Sequence, residues 1–492
     1  MEKKMKLKFK FKLKFYIASS LALVFLALCY FDVLPMSGVG VVCAALTVIY
    51  LAALEINFYS PVAVSIVMPL VGILFSLVTG QLLVDRGFSG MNTLTVLCNI
   101  FLIGIFYYVF LLVLGRVKPA AALGAVAFFI LHFINYVVWL FRGREMAVSD
   151  FYSAKNAAGV VDSYVLSLST NSRICLIALA VLLFLFLSAK YPKAPSRVRL
   201  TALGCAALCC VGLLFGIKHS ENSFQNLGTN STLFNGATYK FIVELRESRV
   251  TPPEGYSHDR AEEILAEYEM GKSEADTPHI IVIMNEAFSD LSVLGELETN
   301  TDPIPYFNSL SANTVRGWAL SSVLGGNTAT SEWEFLTGNT SAFLPYGSIA
   351  YQQYIKDHAW SIVDTLTSNG YTAVAMHPYT RSFWMRDRAY EIMGFDEMYF
   401  IDELTTSDKM RGFVTDRAFF GDIINRFEEK EKNEKLFMFN ITMQNHGGYK
   451  WGGFEHTVTT GREDWYEVDQ YLTMTNHTDK ALKDFLEYFE GV

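Results

Sequence analysis

Ile280-Ile281-Val282-Ile283-Met284 runs without a polar break into Asn285-Glu286. A short, uninterrupted apolar run of this kind suits a strand covered on both faces. The pattern returns twice. Thr372–Met376 leads into His377, and Leu436–Met443 leads into Asn445-His446. Helix-like stretches lie between these runs, for example Ser361–Ser368 and Asp416–Lys430, and no internal repeat is present. Short apolar runs separated by helices predict an α/β domain with a mainly parallel central sheet. In open sheets of this type the ligand site lies beyond the carboxyl ends of the strands. Three strand ends delivering Glu286, His377 and His446 would therefore set metal ligands or acid–base groups on one rim.

A hydroxyl-rich stretch supplies the candidate nucleophile: Gly325-Gly326-Asn327-Thr328-Ala329-Thr330-Ser331-Glu332-Trp333-Glu334. Paired glycines allow close backbone approach. Ser331-x-x-Glu334 has the spacing of a capping box, so a helix is expected to start here. A hydroxyl just ahead of a helix N-terminus meets backbone N–H groups and the positive end of the helix dipole, a setting that suits phosphate. The residues themselves leave both a plain helix cap and a catalytic hydroxyl open.

The first 217 residues have a different character. Seven apolar stretches approach the ~20 residues needed to cross a ~30 Å hydrocarbon core: about 15–34, 37–54, 61–84, 92–114, 120–141, 172–189 and 200–217. Seven lysines precede Phe15, Arg116 and Lys118 follow the fourth stretch, and Lys190, Lys193, Arg197 and Arg199 follow the sixth. With seven spans these clusters share the cytoplasmic side, and everything after Ile217 lies outside. Arg142, Arg144 and Lys155 run against this bias, in a longer loop that also holds acidic residues. Residues 218–276 read as a membrane-proximal linker, with the polar stretch Ser220–Thr238, the breaker Val250–Tyr256 and a surface helix from Asp259 to Met270. Residues 277–492 then form the second domain.

Composition agrees. Hydrophobic residues make up 51% of the 492 and charged residues only 18%, below the roughly 25% usual for soluble chains. The net charge of −9 excludes nucleic acid as a partner, which needs a basic surface. All seven cysteines lie between Cys29 and Cys210. The second domain thus holds neither a disulfide nor a thiolate zinc site nor a cysteine nucleophile.

Taken together, Ile281–Glu286, Gly326-Asn327-Thr328, His377, Ser382-Phe383-Trp384-Met385-Arg386-Asp387 and Gln444-Asn445-His446 resemble the lipoteichoic acid synthases and related phosphoglycerol transferases of the alkaline phosphatase–sulfatase superfamily. The likeness covers roughly residues 278–450, and the anchor agrees in kind. It implies a polytopic helical membrane domain followed by a sulfatase-like α/β domain on the outer face of a bacterial cell membrane. It implies a divalent metal, Mn²⁺ or Mg²⁺, held by Glu286 and Thr328. Thr328 would also be the nucleophile, with Thr330 as the alternative. His377, Trp384, Arg386 and His446 would meet the substrate. The implied reaction moves a phosphoglycerol group from phosphatidylglycerol to a glycolipid or polymer hydroxyl through a phosphothreonine.

One departure stands out. The resemblance implies further metal ligands, an Asp-His pair in a Gly-Asp-His stretch, and this chain contains none. Its only Asp-His dipeptide, Asp357-His358, comes too early. The last residues, Asp484–Val492, read as the helix before the missing segment. The expectation is a truncated chain, inactive as it stands. The alternatives are a phosphoethanolamine transferase, a sulfatase-like hydrolase or a non-catalytic membrane protein that retains the fold. A sulfatase of the usual kind needs a Cys or Ser in a Cys/Ser-x-Pro-x-Arg setting, which is not found here.

Overall fold

The computed structural model describes residues 6–9, 54–151, 168–219, 231–247, 250, 252–268, 277–323, 326–405 and 408–492. The chain divides into two compact units, with the main division at residue 250.

The first unit is helical. Its long helices are α1 (Pro61–Leu82), α2 (Thr93–Leu114), α3 (Val117–Arg142), α4 (Thr170–Ser188) and α5 (Pro195–His219), each long and apolar enough to cross a membrane. Local chemistry sets their ends. Ser60, Asn92 and Ser169 cap the starts of α1, α2 and α4 by accepting backbone N–H bonds, and Gly115 and Gly143 close α2 and α3 in the left-handed conformation that glycine adopts without strain. Five of the seven expected spans are thus helices; 15–34 and most of 37–54 lie outside the described residues. Helix packing rests on small residues. A Cβ at Gly72 of α1 would sit 2.4 Å from the Tyr107 ring, and one at Gly124 of α3 2.6 Å from it. Tyr107 of α2 fills the notch between them, and its hydroxyl lies 3.1 Å from Ser76 Oγ.

The lysine-rich start departs from expectation by forming a strand. β1 (Lys6–Phe9) pairs antiparallel with β2 (Leu54–Asn57), which pairs parallel with β3 (Ala189–Lys190). The Lys-Leu-Lys-Phe alternation has the two-residue period of a strand. This sheet gathers two of the three basic clusters at one end of the bundle. The third joins them there: Lys118 donates to Leu187 O (2.9 Å) and Arg199 to Leu112 O (3.2 Å). Lys155 lies outside the described residues, whereas Arg144 is buried.

The other end of the bundle carries a buried polar network. Helix α6 (Lys240–Glu247) places Lys240 Nζ 3.3 Å from Glu145, and Glu145 also accepts from the backbone N–H and the hydroxyl of Thr232. Lys240 and Glu145 are at most 1% exposed. This pair ties the segment after α5 to the bundle.

The second unit opens with α7 (His258–Ala266), which buries none of its residues, as expected of a surface helix. It is built on β4 (Ile280–Met284), β5 (Tyr371–Met376), β6 (Glu397–Tyr399) and, last in the chain, β9 (Lys435–Ile441). All pair in parallel, in the order β4-β9-β5-β6. Lys409–Met410 (β7) and Phe413–Val414 (β8) form a separate hairpin. Alternate side chains serve opposite faces. Ala373, Ala375, Phe437 and Phe439 enter one core, with α8 (Thr328–Thr337) and α10 (Arg386–Ile392). Val374, Met376, Leu436 and Met438 enter the other, under α11 (Asp416–Glu428) and α12 (Tyr466–Glu490). Both faces are covered, which explains runs that are apolar throughout. Helix α9 (Ile362–Ser368) leads into β5 from a capping box between Ser361 and Asp364.

Candidate active site

Register fixes the rim. Met284 lies opposite Ile441, and Met376 opposite Asn440, so β4, β5 and β9 end together and release Glu286, His377 and His446 at one edge. Thr442, fully buried, locks two of these ends. Its N–H donates to Met284 O (3.1 Å), while its hydroxyl accepts from Glu286 N–H (2.9 Å) and donates to Asn285 Oδ1 (3.1 Å).

Glu286 keeps 15% of its side chain exposed, with Oε1 3.8 Å from His446 Nε2. Burial raises its pKa to about 8; nearby Arg386 opposes the shift, and the charges of Glu332 and Asp416 add to it. The His446 pKa falls to about 4, through burial and the neighbouring Arg411 guanidinium, so the ring is neutral. Arg411 also holds the loop that carries His446, donating to the carbonyls of Gln444 (3.0 Å), His446 (2.9 Å) and Gly448 (3.2 Å). It sits with Gly412 in the turn of the β7–β8 hairpin, both at positive φ as a tight hairpin turn requires.

Behind the rim lies a buried ion pair. Arg386 Nε is 3.1 Å from both carboxylate oxygens of Glu332, and Nη2 is 2.5 Å from Oε1. Tyr390, one turn along α10, donates its hydroxyl to Glu332 Oε2 at 2.7 Å. His377 completes the group. Its Nδ1 lies 3.1 Å from Ile441 O and its Nε2 3.1 Å from Arg386 Nη1. A carbonyl only accepts, so Nδ1 carries the proton and Nε2 accepts from Arg386. Burial and the Arg386 charge hold this histidine well below its ordinary pKa. His377 thus orients Arg386, with both ring nitrogens engaged inside the protein.

Arg386 is delivered by a strained turn. Trp384 and Met385 both lie near φ +60°, a conformation costing on the order of 1–3 kcal/mol for each non-glycine residue. The Trp384 indole is 6% exposed and packs in the core with Phe383.

Thr328 is the first residue of α8, not its cap. Asn327 holds the cap position at φ +65° without a side-chain cap bond. The expected Ser331–Glu334 capping box does not form, because the helix starts one turn earlier. Glu334 instead accepts from Ser322 Oγ and Ser341 N–H. Thr328 and Glu332 are one turn apart on α8, about 5–6 Å between Cβ atoms. Thr328 is thereby placed beside the Arg386 pair. Thr328 is half-buried, and no hydrogen bond engages its hydroxyl among the described residues. Thr330 is 3% exposed and its hydroxyl points to Ser348 O, 3.4 Å away. Gly325 lies outside the described residues. Asp357-His358 is a surface feature, with His358 Nε2 3.9 Å from Asp364.

Four side chains escape a sequence reading: Tyr390, Arg411, Thr442 and Asp416. The first has a signal, its i+4 spacing from Arg386; the others have none. Asp416, fully buried at the start of α11, accepts from the Thr478 hydroxyl, and Gln444 and Asn445 both donate to that same hydroxyl oxygen. Burial raises the Asp416 pKa to about 7.

Glu286 and Thr328 are hard oxygen donors, the type that Mg²⁺ and Mn²⁺ take. Glu286 is also a largely buried carboxyl with no ion-pair partner among the described residues closer than His446, 3.8 Å away. The donors fit a divalent cation in kind, and two protein oxygens alone do not complete its coordination. Among the described residues, His258, Asp259 and Glu262 form the one cluster of three metal-ligating side chains, exposed on α7.

Residues 278–492 match the family described as Sulfatase. A putative cyclic beta-1,2-glucan modification protein of Rhizobium meliloti is 29% identical over 64% of this chain and 51% of its own length. Lipoteichoic acid synthase 1 of Bacillus subtilis is 24% identical over 39% of this chain and 29% of its own. Among solved structures, the phosphoglycerol transferase GacH of Streptococcus pyogenes, in complex with sn-glycerol-1-phosphate, has a TM-score of 0.40 at 21% identity, covering 49% of this chain and 66% of that one. The chain spans about half the length, or less, of the curated relatives it matches. Behind its apolar helices, the chain carries a domain that matches the Sulfatase family and is similar, over part of its length, to lipoteichoic acid synthases.

Proposed function

We propose that this protein is a membrane-anchored phosphotransferase. It moves a phosphoglycerol group from phosphatidylglycerol to a hydroxyl of a glycolipid or polymer, on the outer face of a bacterial cell membrane. The observation that carries the reading is the grouping of Thr328, at an uncapped helix start, with the buried Arg386–Glu332–His377 cluster and Glu286 on one sheet rim. The lipoteichoic acid synthase named above supports the choice of phosphoglycerol.

The residues divide the work. The open first-turn N–H groups of α8 face the phosphate oxygens, where charge grows during transfer, and the buried Arg386 charge lies close behind them. Thr328 Oγ1 attacks phosphorus, diacylglycerol leaves, and the group rests on Thr328 until an acceptor hydroxyl takes it. A divalent cation, Mn²⁺ or Mg²⁺, held by Glu286 and Thr328 would lower the pKa of the Thr328 hydroxyl and offset phosphate charge. His446, neutral and near Glu286, is placed to accept or return a proton. His377 positions Arg386, and Trp384 packs the turn that presents it.

The test incubates the complete protein with labelled phosphatidylglycerol and Mn²⁺. Diacylglycerol release should fall by roughly a thousandfold in Thr328→Ala and little in Thr330→Ala. Release that persists in Thr328→Ala would move the nucleophile to Thr330. Release from phosphatidylethanolamine in preference would replace the phosphoglycerol assignment.

A further inference from the structure

The mechanism above leaves a second concavity unused. A pocket of about 500 Å³ is lined by Lys450, Asp464, Trp465, Tyr466, Glu467 and Val468, a volume within the range of small-ligand sites. We propose that this pocket seats the neutral sugar of the acceptor, an inference that rests on the transferase reading.

Three observations carry it. The first is the lining chemistry. Trp465 and Tyr466 offer the apolar ring surface that Arg462 and His456 leave uncovered, while Asp464, Glu467 and Lys450 add acceptors and donors. A sugar ring has the matching pattern, apolar C–H faces edged by hydroxyls. The second is charge. Asp464 and Glu467 are balanced by Lys450 and the adjacent Arg462, so no net positive charge is left to hold an anionic phosphate head group, and the pocket suits the acceptor and not the donor. Lys450 is paired with Glu467 at 2.5 Å, and Arg462 lies 3.9 Å over the Trp465 ring and 3.5 Å from Asp464. These contacts gather the polar groups at the mouth of the pocket.

The third is position. Lys450 follows His446 by four residues, which bounds their Cα separation at about 14 Å. The intervening loop is held on both sides: Arg411 binds its carbonyls, and the Tyr449 hydroxyl donates to Asn445 O. On the opposite wall α12 carries Tyr471, whose hydroxyl donates to Ser289 O (3.2 Å), three residues beyond Glu286. The wall that forms the pocket is thus tied to both ends of the candidate active site. Next to Lys450, buried Gln470 clamps the Trp451 backbone at both N–H and carbonyl, and the indole stays 45% exposed. A sugar chain leaving the pocket would meet that surface.

The experiment uses the full chain in detergent micelles. A neutral β-linked glucose disaccharide is titrated by saturation-transfer NMR against wild type, Trp465→Ala, Trp465→Phe and Trp360→Ala. Trp360 is 61% exposed and lies outside the pocket lining. The disaccharide should bind saturably, weaken about tenfold or more in Trp465→Ala, and stay within about threefold in Trp465→Phe and Trp360→Ala. Glycerol 1-phosphate should not displace it. With labelled phosphatidylglycerol, Trp465→Ala should shift product from the disaccharide toward hydrolysis while diacylglycerol release holds. Absence of saturable binding, equal binding by Trp465→Ala, or displacement by glycerol 1-phosphate overturns the proposal. Binding without any diacylglycerol release overturns the transferase reading and leaves the saccharide site standing.

Discussion

At the scale of single residues, the site is governed by how charge is buried. Arg386 and Glu332 are each at most 1% exposed, so removing either partner strands the other at a cost on the order of 3–5 kcal/mol. Tyr390 and His377 saturate the pair and keep its geometry fixed. Asp416 shows the opposite case, a buried carboxyl whose hydroxyl partner is too weak to hold it ionised. Its pKa is about 7, against an ordinary 3.8. The folded state therefore binds this proton more tightly than the unfolded chain. The resulting stability is complete below pH 3.8 and is lost as pH rises through about 7. Asp416→Asn stays neutral and keeps an acceptor for Thr478. In EDTA, its thermal stability relative to wild type should improve between pH 4.5 and 8 by an amount equivalent to ~2–4 kcal/mol. A difference that does not change with pH would show that Asp416 titrates normally.

At the scale of elements, helix starts and close contacts decide what each segment can do. Helix α8 begins at Thr328 because Gly326 and Asn327, both at positive φ, turn the chain ahead of it. The hydroxyl is therefore left open and no cap bond consumes it. In the anchor, Tyr107 occupies space that only the glycines of α1 and α3 leave free. Gly124→Val should force the ring aside and destabilise the bundle by about 1–3 kcal/mol, read as a lower unfolding midpoint in detergent. Adding Tyr107→Ala should recover part of that loss. Two losses that simply add would show that the residues do not meet.

At the scale of the whole molecule, the first unit gathers its basic clusters at one end. Lys190 pairs into the sheet that also holds Lys6 and Lys8, and Lys118 and Arg199 bond across the neighbouring helices. Such clusters mark the cytoplasmic side. In a cysteine-free background, Lys193→Cys should resist an impermeant maleimide on intact spheroplasts, and Ser257→Cys, at the exposed start of α7, should react. The reverse pattern would put the candidate site on the wrong side of the membrane for an external donor and acceptor.

The sequence alone determined the two-part architecture, the five described apolar helices, the strand pattern of the parallel sheet and the rim on which Glu286 and His446 emerge. These are legible because hydropathy and period are local properties, and because a parallel sheet exposes its strand ends together. Only the tertiary structure decided which groups meet. It placed β9 between β4 and β5, although it comes last in the chain, and turned Arg386 toward Glu332 across 54 residues of sequence. It enclosed His377 as a positioning group and buried the Thr330 hydroxyl while leaving Thr328 open. It also set Lys450 beside Glu467 to close a second pocket. The reason is physical. Burial and pairing depend on neighbours distant in the chain, and no local pattern of residues encodes which side chain will lose its water.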